Sequence, residues 1–340
     1  MNKFLVITTI NHPTEAIRQF SLLKDWNVIV VGDKKTPADW QIENVKYLSI
    51  EDQTFFNFNL PFNNYVRKMI GYIYAIQNGA DIIADSDDDN YPLENWDSPF
   101  NNEKQELVFK KGFLNIYRIF SDEIIWPRGL PLRSVFTVSD FYDEINGDKV
   151  GIWQGLVNGD PDVDAIHRMI FNNKGIEFQK KNSVVLKEGA ICPFNSQNTF
   201  FRKELFPLLY LPVTVNSRFS DILRGIVAQP IMWKAGYHLG FTSSSAMQIR
   251  NKHILMEDFK DEIPCYIFTE KVLKIVKSAI QDSDFLQDSL YKAYKALIVA
   301  GIVKGVELDY LTAWFNALQN NNEIEKINLQ DWKEVNLKEG

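Results

Sequence analysis

Apolar and polar positions along the chain change period from block to block. Residues 4–9 are an apolar, β-rich run and predict a first strand. Asn11, His12 and Pro13 interrupt it, and Ala16, Ile17, Phe20 and Leu23 then recur at helical spacing over residues 14–23. Residues 26–31 predict a second buried strand, stopped at Gly32-Asp33, and residues 45–48 a short third. A β-α-β opening of this kind favours a parallel sheet. Over residues 64–78, Tyr65, Met69, Tyr72, Ile73 and Ile76 make a helical stripe, with Asn63 or Asn64 as cap and Gly79 as a left-handed stop. That helix feeds another buried run at residues 82–84. Beyond residue 271, three further stripes have helical spacing: Val272, Ile275, Val276 and Ile280; Leu290, Tyr294, Leu297 and Ile298; Leu308, Leu311, Trp314, Phe315 and Leu318. The pattern divides the chain into an α/β part with a mostly parallel central sheet, residues 1–265, and a C-terminal helical region, residues 266–340.

Composition narrows the class. With 340 residues, 45% of them hydrophobic, the chain can bury a large core. A net charge of −7 argues against nucleic acid as a partner. Cys192 and Cys265 show neither a disulfide framework nor metal-type spacing. No run of about 18 apolar residues occurs, so no membrane span is expected. The first residues lead into a strand rather than a signal peptide, and a cytoplasmic location is the expectation.

The polar residues that break the pattern carry the candidate chemistry. Residues 82–84 run directly into Asp85, Asp87, Asp88 and Asp89, four acids within five positions. Crowded like charges are costly to desolvate, so a positive partner is expected. The simplest is a hard divalent cation, Mg²⁺ or Mn²⁺, that leaves positions open for phosphates. An EF-hand reading fails because Asn90 and Trp96 stand where that loop needs Gly and Glu. A solvated acidic turn is the plain alternative.

Thr8, Thr9 and Asp33 fall at the carboxyl ends of the first two strands, where a base and ribose would bind; equally, Asp33 is an ordinary turn residue after Gly32. No G-x-G-x-x-G occurs. Arg67 and Lys68 lie in the first turn of a helix, where the dipole disfavours cations, which points to an anionic partner such as a diphosphate or to a solvated basic pair. Trp126-Pro127-Arg128-Gly129-Leu130-Pro131 reads as a loop. Asp160 before Pro161, with Asp162 and Asp164, suits a catalytic region or a helix start. Asn195 and Gln197 belong to a polar cluster before a Phe-Phe strand.

Nucleotide-binding β/α units followed by an Asp-x-Asp strand end is the order found in nucleotide-sugar transferases of the GT-A type. A closer likeness rests on longer stretches. Gly32-Asp33-Lys34-Lys35-Thr36-Pro37, Arg67-Lys68 with Gly71-Tyr72, and Asp87-Asp88-Asp89-Asn90 come first. Gln154-Gly155-Leu156-Val157-Asn158-Gly159-Asp160-Pro161-Asp162, Arg218-Phe219-Ser220-Asp221-Ile222-Leu223-Arg224-Gly225 and Arg250-Asn251-Lys252-His253 follow. In that order they resemble the STELLO-type glycosyltransferase family over residues 3–265.

The resemblance implies a GT-A-like fold and sugar transfer from a nucleoside-diphosphate sugar, expected to be a UDP-sugar, to a glycan or other hydroxyl acceptor. It implies Asp87 and Asp89 on the metal, Asp88 at the donor, Asp160, Asp162, Asn195 and Gln197 near the sugar, and the 126–131 loop bordering the acceptor. Asp221 is then the base of an inverting displacement or a helix cap, with Arg218 and Arg224 pairing with it or stabilising the leaving diphosphate. His253 is expected as a late metal ligand, with a structural histidine as the alternative. The family's plant members are Golgi membrane proteins linked to cellulose synthesis; with no membrane anchor in this chain, a soluble bacterial member acting on another glycan is expected. The pattern around Asp221 also resembles plant arabinopyranose mutases, so a nucleotide-sugar mutase is the second enzymatic reading. A nucleotide- or glycan-binding scaffold is the non-enzymatic one.

Overall fold

A computed structural model describes residues 1–171, 175–250, 254–281 and 285–319. The chain opens with β1 (Lys3–Thr8), α1 (Glu15–Ser21), β2 (Trp26–Val31), β3 (Val45–Leu48) and the single turn α2 (Ile50–Gln53). Next come α3 (Lys68–Gln77), β4 (Ile82–Ser86), β5 (Asn90–Pro92), β6 (Lys104–Phe109), β7 (Gly112–Phe113) and α4 (Tyr117–Phe120). The middle of the chain holds β8 (Asp140–Asn146), β9 (Val150–Gly159), α5 (Ala165–Phe171), β10 (Val184–Leu186), β11 (Ala190–Ile191) and β12 (Asn198–Arg202). It ends with α6 (Ser217–Lys234), β13 (His238–Gln248), α7 (Leu255–Ala279), α8 (Leu286–Val299) and α9 (Glu307–Gln319).

These elements build one α/β layer structure. The central sheet runs β3-β2-β1-β4-β12-β9-β13-β10-β6-β8, with β5 on β13, and β7 pairs β11 apart from it. The first four strands are mutually parallel. Strand β12 joins β4 and β9 antiparallel, and β9 and β13 are again parallel. Strand β1 is covered on both faces because successive side chains alternate: Phe4 and Val6 enter one core, Leu5 and Ile7 the other. Helix α3 lies so close to this block that a Cβ on Gly71 would meet Val6 Cγ1 at 2.4 Å and Val31 Cγ2 at 2.8 Å. Only glycine permits that approach.

The expected strand boundaries hold to within two residues through β4, whereas the helix expected from residue 64 becomes α-helical only at Lys68. Asn64 caps the 3₁₀ turn Tyr65–Arg67 that leads into α3, and Gly79 has φ +75°. The three C-terminal stripes become α7, α8 and α9, which bury Val272, Val276, Leu290, Tyr294, Leu297, Leu311, Trp314 and Leu318. Helix α7 runs unbroken through residue 265 and packs on α5, α6 and α8. Glu307, fully buried at the start of α9, ties that helix to the segment before α6; it accepts from Tyr210 Oη at 2.5 Å and from the backbone N–H groups of Val213 and Thr214 at 2.8 Å. Among the described residues no helix is long and apolar enough to cross a membrane.

Candidate active site

The carboxyl ends of β1, β2 and β4 open into one cavity of about 580 Å³. Thr8, Thr9, Asp33, Arg67, Asp87, Asp88 and Asp89 line one side of it, and Arg128, Asp162, Gln197, Arg218, Asp221 and Arg250 belong to the rest of its wall. A crevice at strand carboxyl ends is the usual ligand position in open α/β sheets.

On the β1–β2 side, loop backbone fixes the side chains. Asp33 accepts from the N–H groups of Lys34 at 2.7 Å and Asn64 at 3.1 Å, one on each carboxylate oxygen. Arg67 donates to the Leu60 carbonyl at 3.0 Å and to Gln53 Oε1, with its guanidinium 4.5 Å from the Phe62 ring centre. Burial lowers its pKa, and the Asp33 charge acts in the opposite sense.

The four acids of β4 and its extension do not share one environment. Asp85 points beneath the cavity, where one oxygen takes Lys68 Nζ at 2.6 Å and the other takes Tyr72 Oη at 2.6 Å and Arg224 at 3.1 Å. This corrects the expectation that Lys68 and Arg224 meet a diphosphate. Both side chains are at most 1% exposed and serve Asp85, and neither lines the cavity.

Asp87, Asp88 and Asp89 do face the cavity. Asp88 accepts from Thr9 Oγ1 and from Asn11 Nδ2 at 2.9 Å. Asp89 accepts from Gln248 Nε2 at 2.8 Å. Asp87, its side chain 30% exposed, sits 3.5 Å from Lys68 Nζ. Burial pushes its carboxyl up to about 7, and Asp89, Asp85 and Asp88 add to the shift against the Lys68 charge. Among the described residues no group of three or more His, Cys, Asp or Glu side chains is gathered around one point. The residues present still suit a divalent cation, because Asp87 and Asp89 are carboxylate oxygen donors two positions apart on the wall of an open cavity. His253 lies outside the described residues.

The opposite wall is built around a residue the sequence pattern did not single out. Gly129, at φ +82°, turns the 126–131 loop over α6, where a Cβ would stand 2.4 Å from Ile222 Cγ2. That turn delivers Arg128 between two carboxylates. Arg128 Nε donates to Asp162 at 2.7 and 3.0 Å, and its terminal nitrogens donate to the two oxygens of Asp221 at 3.0 and 2.8 Å. Burial acts to raise the Asp162 pKa, but Arg128 and Arg218 outweigh it and hold that carboxyl well below the usual range. Asp221 also takes Ser196 N at 3.3 Å, Ser196 Oγ at 3.2 Å and Ile222 N at 2.9 Å.

Asp221 is not the cap of α6. Asn216, five residues earlier, is the cap and accepts from Phe219 N at 2.9 Å. Arg218 lines the cavity and pairs with buried Glu262 through Nε at 3.0 Å, with Asp162 at 3.7 Å. Asn195 and Asp160, expected at the sugar, do not line the cavity. Asn195 is buried behind it and donates to Asp162 at 2.9 Å, while Asp160 is held by Arg168 beside α5. Gln197 lines the cavity and accepts from Asp162 N at 3.1 Å.

No family model matches the chain. Two Arabidopsis thaliana proteins are similar to it. STELLO2, described as a probable glycosyltransferase, is 28% identical over 341 residues, which is 93% of this chain and 44% of that protein. STELLO1, described in the same words, is 29% identical over 343 residues with the same coverage. The chain therefore spans less than half the length of these relatives. Among solved structures, glucosyl-3-phosphoglycerate synthase from Mycobacterium tuberculosis, in complex with phosphoglyceric acid, aligns with a TM-score of 0.41 at 10% identity, covering 83% of this chain and 81% of that one. Over nearly its whole length, the chain is similar in sequence to the two STELLO proteins.

Proposed function

We propose that the protein is a glycosyltransferase that takes a nucleoside-diphosphate sugar, a UDP-sugar in the first instance, and transfers its sugar to a hydroxyl of a glycan acceptor. One observation carries the reading. A single cavity joins Thr8, Thr9 and Asp33 at the ends of β1 and β2 to Asp87, Asp88 and Asp89 after β4, and then to Asp221 and Arg218 on α6. That order matches what the donor needs: a pocket for base and ribose, a cation corner for the diphosphate, and an acidic group at the acceptor. The homologues' description as probable glycosyltransferases agrees with it.

Asp87 and Asp89 would hold Mn²⁺ or Mg²⁺, with His253 as a further ligand. Such a cation offsets the charge that develops on a leaving diphosphate. Asp33 is assigned to a ribose hydroxyl and Arg218 to the diphosphate. Asp221 is assigned the acceptor proton in an inverting displacement. It already accepts from Arg128, Ser196 and Ile222. An acceptor hydroxyl must therefore displace one of these donors, and the Ser196 hydroxyl, at 3.2 Å, is the weakest side-chain donor among them.

The test is calorimetric titration with nucleoside diphosphates and their sugars, with and without Mn²⁺. Cation-dependent binding of UDP or a UDP-sugar is the expected result, and no binding of any nucleoside diphosphate under either condition refutes the reading. Incubation of UDP-sugars without acceptor separates transfer from isomerisation, because a mutase would change the sugar ring with no acceptor present.

A further inference from the structure

The two walls of the cavity are joined by a short chain of hydroxyl groups. Tyr65 Oη lies 2.5 Å from Ser196 Oγ, accepts from Lys68 Nζ at 2.8 Å and stands 3.4 Å from Asp87 Oδ1. Ser196 Oγ in turn lies 3.2 Å from Asp221 Oδ2. Tyr65 and Ser196 both line the cavity, and Ser196 is 2% exposed, so bulk water does not replace these partners freely. No residue of the donor corner other than Tyr65 is needed to connect Asp87 to Asp221 in this chain of contacts.

Each hydroxyl carries one proton, and because the 2.5 Å contact between the two hydroxyls must hold one of them, the chain has two arrangements. In one, Tyr65 donates to Ser196 and Ser196 donates to Asp221. In the other, Tyr65 donates to Asp87 and Ser196 donates back to Tyr65, so Asp221 loses its Ser196 hydroxyl donor. Lys68, held by Asp85 and the Ser86 carbonyl at 2.6 Å each, donates to the Tyr65 oxygen in both and keeps it in place. The charge state of the Asp87 corner selects between them. A bare carboxylate at Asp87 competes for the Tyr65 proton, whereas a carboxylate already engaged by a cation competes less.

We infer that Tyr65 and Ser196 are positioning residues that couple cation and diphosphate binding at Asp87 to the hydrogen bonding of Asp221. The inference rests on the proposed assignment of Asp87 to the cation and Asp221 to the acceptor. It adds to that assignment a direction: an engaged Asp87 sends a Ser196 proton to Asp221, and an anionic Asp221 in turn favours the engaged state of Asp87. Such a coupling is reciprocal and measurable as non-additivity.

The experiment is a double-mutant cycle of Tyr65→Phe and Asp221→Asn, read as the affinity for UDP with Mn²⁺. The expected result is that Asp221→Asn weakens binding at least threefold more in the wild type than in the Tyr65→Phe background. With Ser196→Ala the relay is cut, and the same two substitutions should become additive although both residues remain. Equal effects of Asp221→Asn in all three backgrounds overturn the inference while leaving nucleotide binding, and so the proposed function, intact. The same cycle followed by thermal unfolding without nucleotide covers the case in which no nucleoside diphosphate binds. Then the proposed function falls and the coupling to nucleotide falls with it; additive melting temperatures overturn the hydroxyl relay as well, whereas non-additivity that disappears with Ser196→Ala retains the relay alone.

Discussion

Two acidic clusters face each other across the cavity, and they meet opposite fates. Beyond β4, Asp87, Asp88 and Asp89 are served by polar neighbours and by one shared lysine, and the Asp87 carboxyl is pushed up to about 7. On the other wall, Asp162 and Asp221 share the buried Arg128, and Asp162 is held well below the usual carboxylate range. Residue type is the same in both places. What differs is how closely a counter-charge is held. Asp162 and Asp221 grip one buried guanidinium between them and are locked into the architecture. Asp87 has only the Lys68 ammonium, at 3.5 Å and already paired with Asp85, and keeps an electrostatic demand that an incoming cation can satisfy. Asp85 makes the same point within one strand: two residues from Asp87, it is fully buried and neutralised by Lys68 and Arg224.

The sharpest way to break this comparison is to remove the counter-charge from the compensated wall. Arg128→Met removes the guanidinium that Asp162 and Asp221 share, leaving Asp162 with Arg218 at 3.7 Å. Loss of one member of a buried pair costs about 3–5 kcal/mol, and urea unfolding should report a loss of that order. Adding Asp162→Asn and Asp221→Asn to Arg128→Met should restore part of it. A variant as stable as the wild type would mean that water or another cation compensates this wall.

The next effect in size is catalytic. Asp221→Asn should reduce turnover roughly 100-fold with donor affinity changed far less. An equal fall in donor binding and turnover would make Asp221 a donor or structural residue. On the cavity side, Asp89→Ala should weaken Mn²⁺-dependent UDP binding at least tenfold, about 1.4 kcal/mol, with little change in melting temperature, because that carboxylate is only part-buried at the cavity wall. A large loss of stability instead would place Asp89 with the structural acids.

Much of the frame was legible because buried parallel strands read as unbroken apolar runs. Residues 4–9, 26–31 and 45–48 could be assigned from such runs alone, and all but Thr9 lie in strands. Of the two misplaced cations at the start of α3, Lys68 has an anionic partner, but it is Asp85, 17 positions along the chain, while Arg67 donates to the Leu60 carbonyl and Gln53 Oε1. The second cation on Asp85, Arg224, is 139 positions away, a pairing that no local pattern encodes. Arg128 escaped for the same reason. It sits in a loop 34 residues from Asp162 and 93 from Asp221, and only the fold brings the three together. Asn216 shows a simpler miss: the true cap stood five residues before the acid that drew attention.

The smallest effect, and the one that separates the two walls without disturbing either, is the response to pH. Asp87 has a folded-state pKa of about 7, above the ordinary carboxylate value of about 3.9 expected on unfolding. Between about pH 4 and 7 the folded state therefore binds a proton that the unfolded state does not, so this group favours folding increasingly as pH falls through that window. Asp162 has the opposite sign. Its depressed folded-state pKa contributes stability above the unfolded value, and that contribution is lost only as pH falls below about 4. Lowering pH from 8 to 5 should thus affect Asp87 and leave Asp162 ionised. Asp87→Asn should flatten the melting temperature over this range relative to the wild type by roughly 1–2 °C. Saturating Mn²⁺ with UDP should flatten the wild-type profile in the same way, because an engaged carboxylate no longer gains from protonation. If Asp87→Asn leaves the profile of the ligand-free protein unchanged, the acidic corner is already compensated and the contrast between the two walls disappears.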